Sequence, residues 1–241
     1  MDQSQISGWV RGEHCPQGRV RQSRADPSPE LAYMIGVRLG DATIAVSKYN
    51  FRVKLRVTDY DFALEFSRCP CKVLHRPLYE PRWSKRFSHW YVAASSILLY
   101  QYLSGPLDAF KEVIEHDDAC ASAFLRGFFD SEGSYSSGGL TVSNTNLEVL
   151  NYVRKLLLER FSIETTGPYL GSKGGRKVTI KGKVCNANKD AYYVRVGARS
   201  IETFNAKVGF SIGRKSAKLG DGFGRRGYTN SRPIYRSLRL V

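Results

Sequence analysis

LAYMIGVRLGDAT (Leu31–Thr43) and SAFLRGFFDSEGS (Ser122–Ser134) are two helix-length apolar runs, each ending in a small residue followed by an acid: Gly40-Asp41 and Ser131-Glu132. In the first run Ala32, Gly36 and Gly40 fall at i, i+4 and i+8, and in the second Ala123, Gly127 and Ser131 do the same. A helix lines such positions up as one stripe. Stripes of small residues let two helix backbones approach closely, as small-xxx-small pairs do in membranes. If the two stripes face each other, Asp41 and Glu132 emerge side by side. Paired carboxylates repel, so one takes up a proton or both bind a cation. The partial negative charge of a helix C-terminus favours the cation. A hard divalent ion with oxygen ligands, Mg²⁺ above all, suits such a site. Either run alone also reads as a buried core helix with a polar end. The recurrence of both stripe and acid points instead to a pseudo-symmetric molecule.

MIGVRLGDA (Met34–Ala42) and LRGFFDSEG (Leu125–Gly133) resemble the LAGLIDADG motif of homing endonucleases. The second copy carries Gly127, Asp130, Glu132 and Gly133 in register. The first departs from the pattern, with Arg38 and Leu39 near the usual inner acid and Ala42 in place of the final glycine, but it keeps Asp41. The stretch Phe204–Leu219 resembles the closing segment of such domains.

Composition agrees. The chain has 241 residues, 42% hydrophobic and 12% aromatic, as in folded rather than disordered proteins. A formal net charge of +15 favours a polyanionic partner: DNA, RNA or an acidic membrane surface. No stretch is apolar and long enough to span a bilayer, Arg38 and Arg126 interrupt the motif runs, and the N-terminus has no signal-peptide pattern. An intracellular, non-secreted protein is expected, in the cytoplasm or nucleoid or in an organelle. The five scattered cysteines read as reduced thiols. Cys69, Cys71 and His75 lie close together but lack the second ligand pair that zinc sites need.

The order of elements repeats. Residues 1–29 read as an extended arm, 30–117 as a first half, 118–220 as a second half and 221–241 as a basic tail. In the first half a hairpin (Thr43–Ser47, Asn50–Val57) follows the motif run. Then come a helix near Asp59–Ser67, strands near Lys72–Tyr79 and Arg86–Ala93, and helices near Ser95–Leu103 and Pro106–His116. In the second half a hairpin at Tyr135–Ser143 precedes an amphipathic helix at Asn146–Phe161. Strands follow within Thr165–Val184 and at Ala191–Val196, with helices at Ile201–Val208 and Arg214–Leu219. This is an α+β plan of two αββαββα halves.

Alternation in the strands indicates a basic face. Arg52, Lys54 and Arg56 share one side of Phe51–Val57, and Lys177, Thr179, Lys181 and Lys183 share one side of Lys177–Val184, read as one strand. Arg195 lies between Val194 and Val196. Solvated faces normally mix signs, whereas Thr165–Lys189 contains six Lys or Arg and no acid. These faces therefore read as contacts to phosphates and base edges. The tail, with Arg225, Arg226, Arg232, Arg236 and Arg239, reads either as a phosphate-tracking segment or as a solubilising one. Tyr228 and Tyr235 leave RNA stacking open.

The resemblance implies a DNA-binding saddle of two pseudo-symmetric halves around two packed central helices. It implies a site-specific homing endonuclease, intron-encoded in type and working as a monomer. Such an enzyme makes metal-dependent double-strand breaks with short 3′ overhangs in an asymmetric target of roughly 20 bp, two turns of duplex. By that resemblance Asp41 and Glu132 are the catalytic metal ligands, and the carbonyls of Gly40 and Ser131 complete the coordination. Mg²⁺ is the expected ion, with Mn²⁺ or Ca²⁺ able to take the same sites. Thr58, Asn144, Lys111, Lys207, Arg214 and Lys215 are its implied accessory residues around the attacking water, and phosphate contact or plain surface charge is their alternative. Asp130 suits a structural or capping role. An RNA-binding intron maturase on the same scaffold is the alternative function. Retention of both acids favours the nuclease over that reading and over a regulator with a decayed site.

Overall fold

The computed structural model describes residues 25–47, 50–136, 139–180 and 183–224. The arm before Ala25, Lys181 and the arginine-rich tail after Gly224 lie outside the described residues. The chain divides into two compact units, Met1–Gly127 and Phe128–Val241, with the boundary inside the second motif helix.

The first unit begins where Ala25, 2% exposed, is tied to Tyr102. The Ala25 N–H donates to the Tyr102 hydroxyl (3.4 Å), which donates to the Ala25 carbonyl (3.0 Å). The last residues of the expected arm are thus fixed to the core. Helix α1 (Pro29–Leu39) starts at Ser28, whose hydroxyl accepts from the Leu31 N–H, with proline in the first turn, where its missing N–H costs nothing. Leu31 through Val37 are buried without interruption, the state expected of a helix apolar all round.

Strands β1 (Thr43–Ser47) and β2 (Asn50–Val57) pair as the expected hairpin. Helix α2 (Tyr60–Val73) follows, then β3 (Arg82–Ser84) and β4 (His89–Ser95). The antiparallel sheet has the order β1-β2-β4-β3. Val53, Leu55, Val92 and Ala94 form its inner face, with α2 packed on β2, β4 and α1. Helices α3 (Ile97–Leu103) and α4 (Leu107–Ile114) close the unit against α1.

One expected strand is corrected. Lys72–Tyr79 is not extended, because α2 runs through Pro70 to Val73. A proline at this place forfeits its own N–H bond to the preceding turn and crowds that turn's carbonyl. Burial of Cys69, Cys71 and Val73 on the helix's inner side outweighs the loss. The turn closes with the Leu74 N–H on the Pro70 carbonyl (3.0 Å) and the Arg76 N–H on the Cys71 carbonyl (2.8 Å). The third strand is therefore displaced to Arg82–Ser84.

Helix α5 (Asp118–Glu132) passes from the first unit into the second. There β5 (Gly133–Ser136) and β6 (Gly139–Asn144) form a hairpin. Helix α6 (Leu147–Phe161) is capped by Asn146, whose side chain accepts from the N–H groups of Glu148 and Val149. Strands β7 (Thr165–Ser172), β8 (Arg176–Ile180), β9 (Lys183–Ala187) and β10 (Ala191–Val196) follow. The main sheet has the order β5-β6-β10-β7, the plan of the first sheet, and β8-β9 form a separate two-stranded sheet. Helix α6 covers the main sheet over Leu140, Val142, Val194 and Val196. A short 3₁₀ turn (Ala198–Ser200), α7 (Ile201–Lys207) and α8 (Gly213–Gly224) close the unit, so the first four residues of the expected tail belong to a helix. The α+β plan of two repeated halves holds, with the β8-β9 hairpin inserted in the second.

That hairpin corrects a second expectation. Strands β8 and β9 run antiparallel, with Lys183 paired to Ile180. The alternation through Lys177 and Thr179 therefore does not continue to Lys183.

Candidate metal and nucleic-acid site

Gly127 sets how closely the second motif helix meets the first. A Cβ at Gly127 would run into the Tyr33 carbonyl oxygen, a backbone atom that has no rotamer to yield, and would lie 3.2 Å from Val37 Cγ2. Gly127, the middle residue of the α5 stripe, thus lies close against α1 at the Tyr33 backbone and the Val37 side chain.

The two motif acids sit at helix ends of different construction. Helix α1 stops at Leu39, and the N–H groups of Gly40 (3.2 Å) and Ala42 (2.9 Å) both return to the Val37 carbonyl. Asp41 follows in an exposed turn. Helix α5 carries on to Glu132 itself, so Ser131 lies in its last turn. A Cβ at Gly133 would collide with the Phe129 carbonyl. This explains why glycine ends the second copy, whereas the earlier exit of the first chain accommodates Ala42.

Side chains hold the second end in place. Asn144 Nδ2 donates to Glu132 Oε1 at 3.3 Å, while Asn144 Oδ1 accepts from the Asn146 N–H at 2.9 Å. The second bond fixes which side of the amide faces Glu132. Asp130, 1% exposed, accepts from the Ser211 N–H (3.0 Å to Oδ1) and from the Ser211 hydroxyl. Lys215 Nζ donates to the carbonyls of Phe129 (3.1 Å) and Asp130 (2.5 Å). A cation beside carbonyls at a helix C-terminus is favoured by the helix dipole. The rings of Phe129, Phe204 and Phe210 cluster over the same turn, with centroids 4.6 to 6.4 Å apart. The closing segment Phe204–Leu219 therefore grips the end of α5. Asp130 has the structural role expected of it. Ser211 and Phe210 escape a sequence reading, since nothing in the local pattern marks them as partners of residues some 80 positions earlier.

Of the other implied accessory residues, Thr58 is exposed just after β2, as Asn144 is at the end of β6. Lys207 and Arg214 are exposed at the end of α7 and the start of α8. Lys111 pairs with Asp108 at 2.6 Å on its own helix. In the first motif Arg38 has a buried Nε without a hydrogen-bond partner, and burial depresses its guanidinium below the ordinary pKa.

The outer face of the first sheet is basic. Strand pairing places Arg52, Lys54 and Arg56 beside Ser95, Ala93 and Tyr91, opposite the buried Val53 and Leu55. The Arg56 guanidinium lies 5.8 Å from the centre of the Tyr91 ring. Arg82 pairs with Tyr91 and lengthens the row. It was hidden from the sequence reading by the misplaced third strand. In the second sheet Arg195 pairs with Thr141 and Thr166, and Tyr193 with Ser143 and Tyr169. That face bears mainly hydroxyls and rings. Lys177 and Thr179 are exposed on the separate hairpin.

Among the described residues no group of three or more His, Cys, Asp or Glu is arranged to hold a metal. Cys69 and Cys71 are buried, and burial pushes the Cys69 thiol up, away from the thiolate. With His75 they form no zinc site. No helix among the described residues is long and apolar enough to cross a membrane.

Known proteins share this architecture. A family model described as a LAGLIDADG-like domain matches residues 119–209. A protein of Methanocaldococcus jannaschii, MJ0398, is 33% identical over 225 residues, spanning 91% of this chain and 80% of that protein. A DNA polymerase of Thermococcus sp. is 30% identical over 124 residues, 47% of this chain but 6% of the polymerase. I-DmoI in complex with DNA and Mn superposes with a TM-score of 0.55 at 17% identity, covering 76% of this chain and 98% of I-DmoI. Full-length WhiA from Thermatoga maritima gives 0.51 at 17% identity, covering 87% of this chain and 65% of WhiA. Two acid-tipped motif helices, two sheets of one strand order and these relatives agree: the chain belongs to the LAGLIDADG family.

Proposed function

We propose that this protein is a site-specific endonuclease of the homing type, making divalent-metal-dependent double-strand breaks with short 3′ overhangs in a long, asymmetric DNA target. The observation that carries the reading is that both motif helices keep their terminal acid, Asp41 and Glu132. The second is oriented by Asn144 at a helix end fixed by Lys215 and by Asp130–Ser211. A protein that only bound nucleic acid would have no use for a carboxylate so supported.

The donor set fits a hard cation. Asp41 and Glu132 offer carboxylate oxygens at the negative ends of helices, and the Gly40 and Ser131 carbonyls add neutral oxygens. Among the described residues no group of three or more His, Cys, Asp or Glu could hold a metal by itself. Water and phosphate oxygens would therefore fill the remaining positions, the coordination Mg²⁺ prefers and Mn²⁺ or Ca²⁺ tolerates. I-DmoI has been crystallised with DNA and Mn and with DNA and Ca, which supports the same metal class for this chain. Such an ion supplies a more acidic bound water and charge neutralisation at the departing 3′ oxygen.

The protein's own residues position the reactants. Asn144 holds Glu132 in one rotamer, and Thr58 occupies the corresponding place after β2. Lys215 keeps the last turn of α5 intact. Lys207, Arg214 and Lys111 are assigned to phosphate contact around the site. Arg52, Lys54, Arg56, Arg82, Arg195, Lys177 and Thr179 are assigned to the duplex, where phosphates position and base edges specify. One chain bearing both motifs works as a monomer, inside the cell where DNA is.

The test is cleavage of a randomised or host-derived duplex library with Mg²⁺, beside the Glu132→Gln protein. Sequence-specific double-strand cuts absent from the variant support the reading. No cuts, with tight salt-sensitive binding to structured RNA, would replace it with the maturase function.

A further inference from the structure

The β3-β4 hairpin carries chemistry that the cleavage reading leaves unused. Arg56, Arg82, Trp83, Phe87, His89 and Tyr91 line a pocket of about 490 Å³, within the ~300–1,000 Å³ typical of small-ligand sites. One of its walls is a large ring open to solvent: Phe87 is 62% exposed. Phe87 stacks on His89 at 5.7 Å with 12° between planes. The Trp83 ring belongs to the opposite face of the sheet, where it meets Trp90 edge-on at 5.1 Å. The cations are braced, Arg56 over Tyr91 and Arg86 over Phe87. From Arg82 to Tyr91 the chain adds Lys85 and Arg86 and contains no acid.

A flat apolar wall with guanidinium groups and no carboxylate suits a ligand that is planar at one end and anionic at the other. A nucleotide is such a ligand. Within a duplex the faces of a base are covered by its neighbours, so rings of this kind engage a base only when it has left the stack. We infer that this pocket takes one unstacked nucleotide of a DNA strand, its base against Phe87 and its phosphate on Arg56 and Arg82. This rests on the proposal above that DNA is the substrate. It adds that the first half engages a deformed or single-stranded position of the target as well as paired bases.

The test uses the full-length protein without metal, so cleavage does not enter. Four fluorescent probes are compared by anisotropy: a short single-stranded deoxyoligonucleotide, its perfect duplex, that duplex with one extra unpaired base, and the ribonucleotide version of the single strand. Phe87→Leu keeps apolar bulk but removes the stacking ring. It should weaken binding of the single strand and of the bulged duplex about tenfold, and of the perfect duplex less than about twofold. Phe87→Tyr should restore wild-type binding. Equal losses on the perfect duplex would overturn the inference, since the ring would then pack on paired DNA. No loss on any probe would also overturn it, and tighter binding of the ribonucleotide strand would reassign the pocket to RNA. Repeating the series in Glu132→Gln separates this result from the fate of the cleavage proposal.

Discussion

The ends of the two motif helices show how one sequence motif can be built in two ways. At the second, α5 runs unbroken to Glu132, a buried Asp130 anchors Ser211, and Lys215 covers two terminal carbonyls. At the first, α1 stops two residues short of Asp41, Leu39 occupies the position of Asp130, and Arg38 buries an Nε with no partner. The acid is common to both, whereas its support is not. Pseudo-symmetry in this fold therefore applies to the backbone plan and the carboxylates. The shell around each carboxylate is free to differ.

The largest stability effect should come from Asp130. Asp130→Ala leaves the half-buried Ser211 N–H and hydroxyl without their acceptor and should cost about 3 kcal/mol by urea denaturation. Leu39→Ala, at the matching place in the first copy, should cost about 1 kcal/mol, because Leu39 is only half-buried. Equal costs would erase the contrast. Gly127→Ala comes next, at about 2 kcal/mol, because the added methyl meets a carbonyl that cannot rotate away; unchanged thermal stability would remove the close helix contact. Lys215→Met should cost about 1 kcal/mol, the scale of a cation at a helix C-terminus.

The smallest effect belongs to Glu30 and Lys72, joined at 2.7 Å in the first unit. Burial alone would raise the Glu30 pKa, but the hydrogen bond and charge of Lys72 outweigh it and lower it. A carboxylate with a depressed folded pKa stabilises above its unfolded value, and that contribution is lost as pH falls through the folded one. Glu30→Gln should therefore reduce stability by less than about 1 kcal/mol at neutral pH and by nothing in strong acid. A difference that grows on acidification would contradict the sign.

Much of the fold was legible because it follows from periodicity. The hairpin at Thr43–Val57 and the helix after Asn146 lie where alternation and a capping asparagine put them. The helix expected near Asp59–Ser67 runs on through Pro70 to Val73, because burial of the residues around the proline kept it going. The run Lys177–Val184 misled because alternating lysines look the same whether they belong to one strand or to two antiparallel ones. At the site, the two acids were visible as the repeated tips of apolar runs. Ser211, the aromatic cluster on Phe129 and the Arg82 extension of the basic face were not, since each depends on contacts between segments far apart in sequence.

The central claim is that Asp41 and Glu132 perform metal-dependent cleavage. The most direct measurement is single-turnover cutting of the selected duplex in Mg²⁺ by the wild type, Asp41→Asn and Glu132→Gln, with duplex binding measured in parallel. The account predicts that each variant binds within about threefold of the wild type and loses cleavage by more than about a hundredfold. Cutting at the wild-type rate by both variants would contradict it.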